Sequence, residues 1–397
     1  MISSLAKIRS QVPSPLHILE HSAKLQLGMR GRTLVSLLAA TASLPALAVL
    51  GVAFARATDS PSGDAQALIQ AGHWKRARAI LEPQIKAHPQ DPQGAYLLAQ
   101  VKAAFKDFEG ALPLAQHAVE LDGKNSNYHL KLGQVYGEMA ARATIFAAGS
   151  LALKFRKEVE SALDLDPKNL EALDSMMQFK FQAPGLMGGD KTQARSLAEK
   201  ITNLSPSEGY LAQAELAELE KNPAEMEADY LKAVEADPKN YRALTTLGRF
   251  YSSPPRQNLD AATRYAQQAW QLDSSRADAG WILARVFALE ERWSDLQAIL
   301  GASEENVPDD LRPFYEAAHA LLEIGKEFPR AEGYAKKYLS EEPEGEGPDA
   351  GDAHRLLGLI FEKEGRMSEA RTEIETALQL RPNFKAAKED LKRMEKR

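Results

Sequence analysis

The chain of 397 residues contains no cysteine. Disulfides, thiolate metal sites, cysteine nucleophiles and cysteine-linked lipid anchors are therefore excluded, although this absence leaves the redox compartment open. Aromatic residues make up 7% of the chain and are too dispersed to form a sugar-stacking platform. Eight histidines are scattered, and none falls in His-Glu-x-x-His. No Gly-x-Ser-x-Gly elbow occurs either. Carboxylates are plentiful, but nothing in their spacing pairs them for acid–base work. These absences point to a non-enzymatic chain with no cofactor and no metal.

What is present is a recurring apolar pattern. In the stretch 351–382, Leu356, Leu357, Ile360 and Phe361 recur at helical spacing, Gly365 and Arg366 break the run, and Ala370, Ile374, Ala377 and Leu378 resume it before Pro382. This predicts two antiparallel helices, each with one apolar face. Gly358, Ala370 and Ala377 fall where the backbones must come close, since a bulky side chain there would hold the helices apart.

Leu357-Gly358, Phe361, Ala370, Ile374, Ala377 and Pro382 resemble the tetratricopeptide repeat, with His354 standing where Trp is usual. Leu247-Gly248, Tyr251, Ala262, Ala266 and Ala269 resemble a second copy. Helix-ending turns at Pro89, Gly123, Pro167, Pro206, Pro238, Ser274, Pro308, Pro343 and Pro382 keep close to the repeat period. One such hairpin cannot bury its own apolar face and needs neighbours. The resemblance implies an all-α, right-handed superhelical solenoid of about nine hairpins spanning residues 64–384. A basic helix over 385–397 is expected to cover the last apolar face.

Residues 1–57 read as an export signal or membrane anchor. Arg30 and Arg32 precede a charge-free run over 33–54, and Ala53-Phe54-Ala55 and Ala55-Arg56-Ala57 offer small-x-small cleavage patterns. Met29 would serve as an ordinary signal start. The run is also long enough to span a bilayer, and Lys7, Arg9 and Lys24 before it favour a cytoplasmic N-terminus. Both readings place the repeats in the periplasm or on the outer face of the inner membrane. Residues 58–63 read as a polar linker. Without residues 1–57 the chain holds 43 basic and 54 acidic residues, a net charge near −11. That balance opposes general nucleic-acid binding.

Two insertions interrupt the repeats. About ten extra residues near 140–151 predict added helical turns in the third repeat. Over 182–193 the sequence Gln-Ala-Pro-Gly-Leu-Met-Gly-Gly-Asp-Lys-Thr-Gln nearly fits a phosphate loop. Asp190 occupies its last glycine position, however, and would repel phosphate. The expected structure has Pro184 ending one helix, the glycines turning the chain, and Asp190 capping the next helix. The acidic run over 341–348 reads as a solvated, flexible connection.

Function is then expected in the concave groove. The resemblance implies that the first helix of each hairpin lines it. On that phase Arg242, Thr245 and Arg249 point inward from the sixth repeat, Trp281 and Arg285 from the seventh, and Arg312, Tyr315 and His319 from the eighth. Arginine forks match carboxylates, and aromatic faces hold an extended peptide. The expected partner is a protein or peptide with an acidic or C-terminal carboxylate segment. The bland alternative is that these arginines pair with acids on neighbouring helices. A chaperone-like assembly factor and an accessory subunit of an envelope enzyme are the other roles this pattern allows. The reading of the N-terminus is tested by fractionation: deleting residues 1–57 should shift the protein from the envelope to the cytoplasm, and unchanged partitioning refutes it.

Overall fold

The computed structural model describes residues 61–254 and 256–396. The expected export segment, 1–57, lies outside the described residues. Among the described residues there are nineteen α-helices, one 3-10 turn and no strand. The first eighteen helices form nine hairpins. These are α1 (Pro61–Ala71) with α2 (Trp74–Ala87), α3 (Pro92–Ala104) with α4 (Phe108–Leu121), and α5 (Ser126–Arg142) with α6 (Ile145–Leu165). Next come α7 (Leu170–Gln182) with α8 (Lys191–Leu204), α9 (Pro206–Leu219) with α10 (Pro223–Ala236), and α11 (Tyr241–Ser252) with α12 (Leu259–Leu272). The last three are α13 (Ala277–Leu289) with α14 (Trp293–Asn306), α15 (Arg312–Ile324) with α16 (Phe328–Tyr338), and α17 (Ala350–Lys363) with α18 (Met367–Leu380). Helix α19 (Lys385–Met394) follows, with Ala387 and Met394 buried in the core of the final hairpins. The first helix begins inside the stretch 58–63 expected as linker.

The hairpins repeat because their turns and caps repeat. Gly72, Lys106, Lys221, Glu291, Gly325 and Gly365 all take positive φ at the same point of their hairpins. A left-handed residue there lets the following amide return to a helix-end carbonyl, as Arg366 N does to Phe361 O at 3.0 Å. Asn and Asp side chains then open helices by accepting from backbone amides, among them Asp91, Asn169 and Asn240. Successive hairpins are stapled by a polar relay. Asn169 donates to Ser126 Oγ at 2.9 Å, and that hydroxyl donates to Ala162 O. Asn240, Ser207 and Ala233 repeat the same arrangement.

Packing follows the small residues. Ala262, Ala266, Ala269, Ala331, Ala335, Ala370 and Ala377 are fully buried. A Cβ on Gly358 would stand 3.0 Å from Ala370 O and from the Ile374 side chain. From Leu211 to Met394 the buried residues form one continuous core, whereas the first four hairpins hold smaller clusters.

The first insertion lengthens both helices of its hairpin, to 17 residues in α5 and 21 in α6, with the turn confined to 143–144. The second forms the expected turn. A 3-10 segment runs from Gly185 to Met187, Gly188 has φ 99°, and Asp190 accepts from Thr192 N and Gln193 N. The second insertion is tied to α6, where Arg156 Nη1 donates to Met187 O at 3.0 Å.

The acidic run differs from its expectation as a solvated, flexible connection. The connection 339–349 crosses to the first two hairpins, where Glu344 is 3% exposed and buried beside Lys75. Its charges find basic partners and helix-end amides on hairpins far away in the chain, contacts that local composition does not encode.

Helices α8 and α9 are joined by Ser205 alone, and a Cβ on Gly209 would run into the Thr202 backbone. Gly209→Ala should destabilise the chain by about 2 kcal/mol. Gly301→Ala, with nothing within 4 Å, should stabilise it by about 0.5–1 kcal/mol. Urea unfolding checks both, and equal effects would refute the close approach.

Candidate functional site

One position in each first helix directly follows the small or buried residue that packs against the second helix. Arg249 follows Gly248, Arg285 follows Ala284, and His319 follows Ala318. The structure brings these three together with Trp281 and Tyr315 around a concave cavity of about 430 Å³, completed by Ser252, Glu316, Pro348 and Asp352. Five of the eight groove residues expected from the sequence therefore share one cavity, contributed by α11, α13 and α15.

Their charges are used unequally. Arg285 is 6% exposed, and Nη2 meets Glu323 Oε2 at 2.5 Å while Nε donates to Ser252 O at 3.3 Å. Its Nη1 lies 3.1 Å from His319 Nδ1, and since arginine only donates, that nitrogen accepts. Desolvation within the channel, and then the Arg285 charge, hold the His319 pKa below its ordinary value, which favours the neutral ring this contact needs. Tyr315 stacks on His319 at 12° between planes. Burial raises the Glu316 carboxyl pKa, partly offset by Arg285. Arg249 is exposed, and among the described residues its guanidinium has no hydrogen bond or ion pair. Trp281 Nε1 is buried without a hydrogen-bond partner.

The other two arginines lie elsewhere. Arg242 bridges Glu208 at 2.8 Å and Glu215 at 3.0 Å. Arg312 forks onto buried Asp310 at 2.6 and 2.9 Å. Thr245, expected to face inward, donates to its own helix at Tyr241 O.

A family model described as the tetratricopeptide repeat matches residues 64–126 and 315–383, and a second of the same description matches 207–240. These segments are tetratricopeptide repeats. Among curated proteins, no relative is found. Among solved structures, the chain is similar to a thermophilic TPR protein of Thermus thermophilus, with 20% identity over 52% of this chain and 96% of that one and a TM-score of 0.41. A tetratricopeptide repeat protein from Parabacteroides merdae shares 16% identity over 66% of this chain and 98% of that one, at TM-score 0.44. Yeast Tom70 shares 14% over 84% of this chain and 80% of that one, at TM-score 0.48. Tetratricopeptide repeats are in general non-catalytic scaffolds for protein partners.

The same position in the earlier repeats carries residues that the sequence reading did not single out. Gln100, Gln134 and Gln178 follow Ala99, Gly133 and Met177, and Glu215 follows Ala214. The three glutamines line a second, larger cavity of about 1310 Å³, together with Phe108, Phe155 and Arg242. The ladder thus runs from amides through a carboxylate to two arginines and a histidine. The signal that could have found it was the phase already used for Arg249. Among the described residues no cluster of His, Asp or Glu could hold a metal ion.

Where the ladder changes sign, Gln178 Nε2 donates to Asp174 Oδ2 and Glu215 Oε2, each at 3.0 Å. Burial raises both carboxyls, and their mutual repulsion adds to Glu215, pushing it up to about 7 against the pull of Arg242. The folded chain therefore keeps a proton here that the unfolded chain has released. The stability tied to that proton is fully present below about pH 4 and is lost as pH rises through about 7. Glu215→Gln should stabilise the protein by about 1–2 kcal/mol at about pH 8 and by less at about pH 5. Thermal melts at the two pH values check this, and an equal effect at both would refute the shared proton.

Proposed function

We propose that this protein is a non-enzymatic scaffold of the cell envelope that holds an acidic segment of a protein partner in its concave channel. The observation that carries the reading is the smaller cavity. Among the described residues Arg249 has no acidic partner there, beside the unsatisfied Trp281 Nε1 and the stacked Tyr315 and His319 rings. An incoming carboxylate would supply the acceptor that Arg249 lacks, and a charge-assisted bond of this kind is stronger than a neutral one. Arg285 acts differently. Its charge is matched by Glu323, so it braces the wall and fixes the His319 ring. The envelope location rests on the charge-free run over 33–54 with Arg30 and Arg32 before it.

The test compares fluorescent acidic peptides, with free and with amidated C-termini, on the wild-type protein and on Arg249→Glu. Charge reversal at the unpaired arginine should weaken binding by about tenfold or more, about 1.4 kcal/mol. Preference for the free C-terminus would identify a terminal carboxylate as the ligand group, and equal binding would assign it to side chains. Peptide binding unchanged in Arg249→Glu would sink the groove reading.

A further inference from the structure

The connection 339–349 is far longer than the short turns between most other hairpins, and it closes the solenoid on itself. Glu344 Oε1 accepts from Lys75 N at 2.6 Å. His73, the residue preceding α2, makes no capping bond of its own, so a carboxylate 269 residues away satisfies an amide at the start of that helix. At the end of α3, Ala104 O accepts from Glu346 N at 2.9 Å. The strap therefore supplies partners to two helix ends that nothing nearby satisfies. Its charges are matched too: Lys75 Nζ donates to Glu342 O at 2.9 Å, Arg78 forks onto the Glu342 carboxylate, and Lys106 reaches Asp349 at 3.4 Å. A second contact lies beside it, where Asp309, between α14 and α15, meets Arg76 at 2.5 Å and His73 at 3.5 Å.

Two features set this closure apart from the stacking between hairpins. From 340 to 349 the only apolar side chains are Pro343 and Pro348, so the strap is held by hydrogen bonds and ion pairs rather than by a buried apolar face. The exposed pairs among them, Arg78 with Glu342 and Lys106 with Asp349, are individually weak and screened by salt, whereas Glu344 is buried. The fit is also narrow: a Cβ on Gly345 would stand 3.0 Å from Ala104 Cβ and 3.1 Å from Trp74 Cγ. The strap further walls both cavities, Glu346 lining the larger and Pro348 the smaller.

We infer that the strap 339–349 is a releasable clasp, which closes the solenoid through the first two hairpins and gates entry of macromolecular segments to the channel. A partner that binds the open form better than the closed one shifts the chain toward the open form. The inference concerns access and not the chemistry of what binds, so its test uses no partner and stands apart from the acidic-segment reading.

The absence of native cysteine makes two labelling experiments specific. In the first, spin labels at Lys86→Cys and Arg371→Cys, both exposed and outside the strap, report the separation of the first and last hairpins. The wild-type chain should give one narrow distance. Gly345→Val, which blocks the fit by bulk, and Arg78→Glu, which reverses a charge, should each add a longer population while helicity is retained, and high salt should do the same to the unmutated strap. In the second, Gln134→Cys on the wall of the larger cavity is modified with a polymer-linked maleimide and with N-ethylmaleimide. Strap release by either substitution should speed the bulky reagent about tenfold and leave the small one unchanged. Equal acceleration of both reagents would mean local unfolding and overturn the inference. So would distances and rates unchanged in both variants.

Discussion

An isolated pair of short helices has one apolar face too many. Everything in this structure depends on how that face is covered. Each hairpin buries one side against the hairpin before it and the other against the hairpin after it, and α19 closes the end. Close stacking requires small residues where helices cross. The fully buried alanines and Gly358 meet that requirement, and the asparagine–serine relays satisfy helix-end groups that stacking would otherwise leave unpaired.

Stacking of this kind is one-dimensional and carries no instruction to close. Closure comes from a different class of interaction. The strap between the eighth and ninth hairpins is acidic, glycine-rich and almost without apolar side chains, and it ends on helix termini and basic residues of the first two hairpins. The molecule thus combines a hydrophobic stack with a polar seam of hydrogen bonds and ion pairs. The channel lies on the inner side of both, and its walls take residues from each.

Within the channel, residues of the same type play different parts because their neighbours differ. Arg249 and Arg285 occupy equivalent positions in adjacent hairpins. Glu323 pairs with Arg285, and among the described residues no acid forms an ion pair with Arg249. One arginine is consequently a brace and the other an open charge. Glu215 stands at the same position one hairpin earlier, where Asp174 crowds it, Gln178 bridges the pair and Arg242 offsets the charge. A ladder regular in position is therefore irregular in chemistry.

The helical hairpins, their turns, the lengthened third repeat, the Asp190 cap and the covering helix were all legible in the chain, because each depends on residues within one or two helical turns. The inward phase of Arg249, Trp281, Arg285, Tyr315 and His319 was legible for the same reason: helical periodicity sets which face a residue occupies. Which of those charges stays unpaired was not legible, since Arg285 and Glu323 meet across two helices and Arg242 reaches back to Glu208 and Glu215. Least legible was the strap, whose composition reads as solvated and whose partners lie some 240 to 270 residues away. Local order follows from spacing along the chain. Closure, the buried carboxylates and the open charge of Arg249 were decided only when stacking carried distant segments within hydrogen-bonding distance.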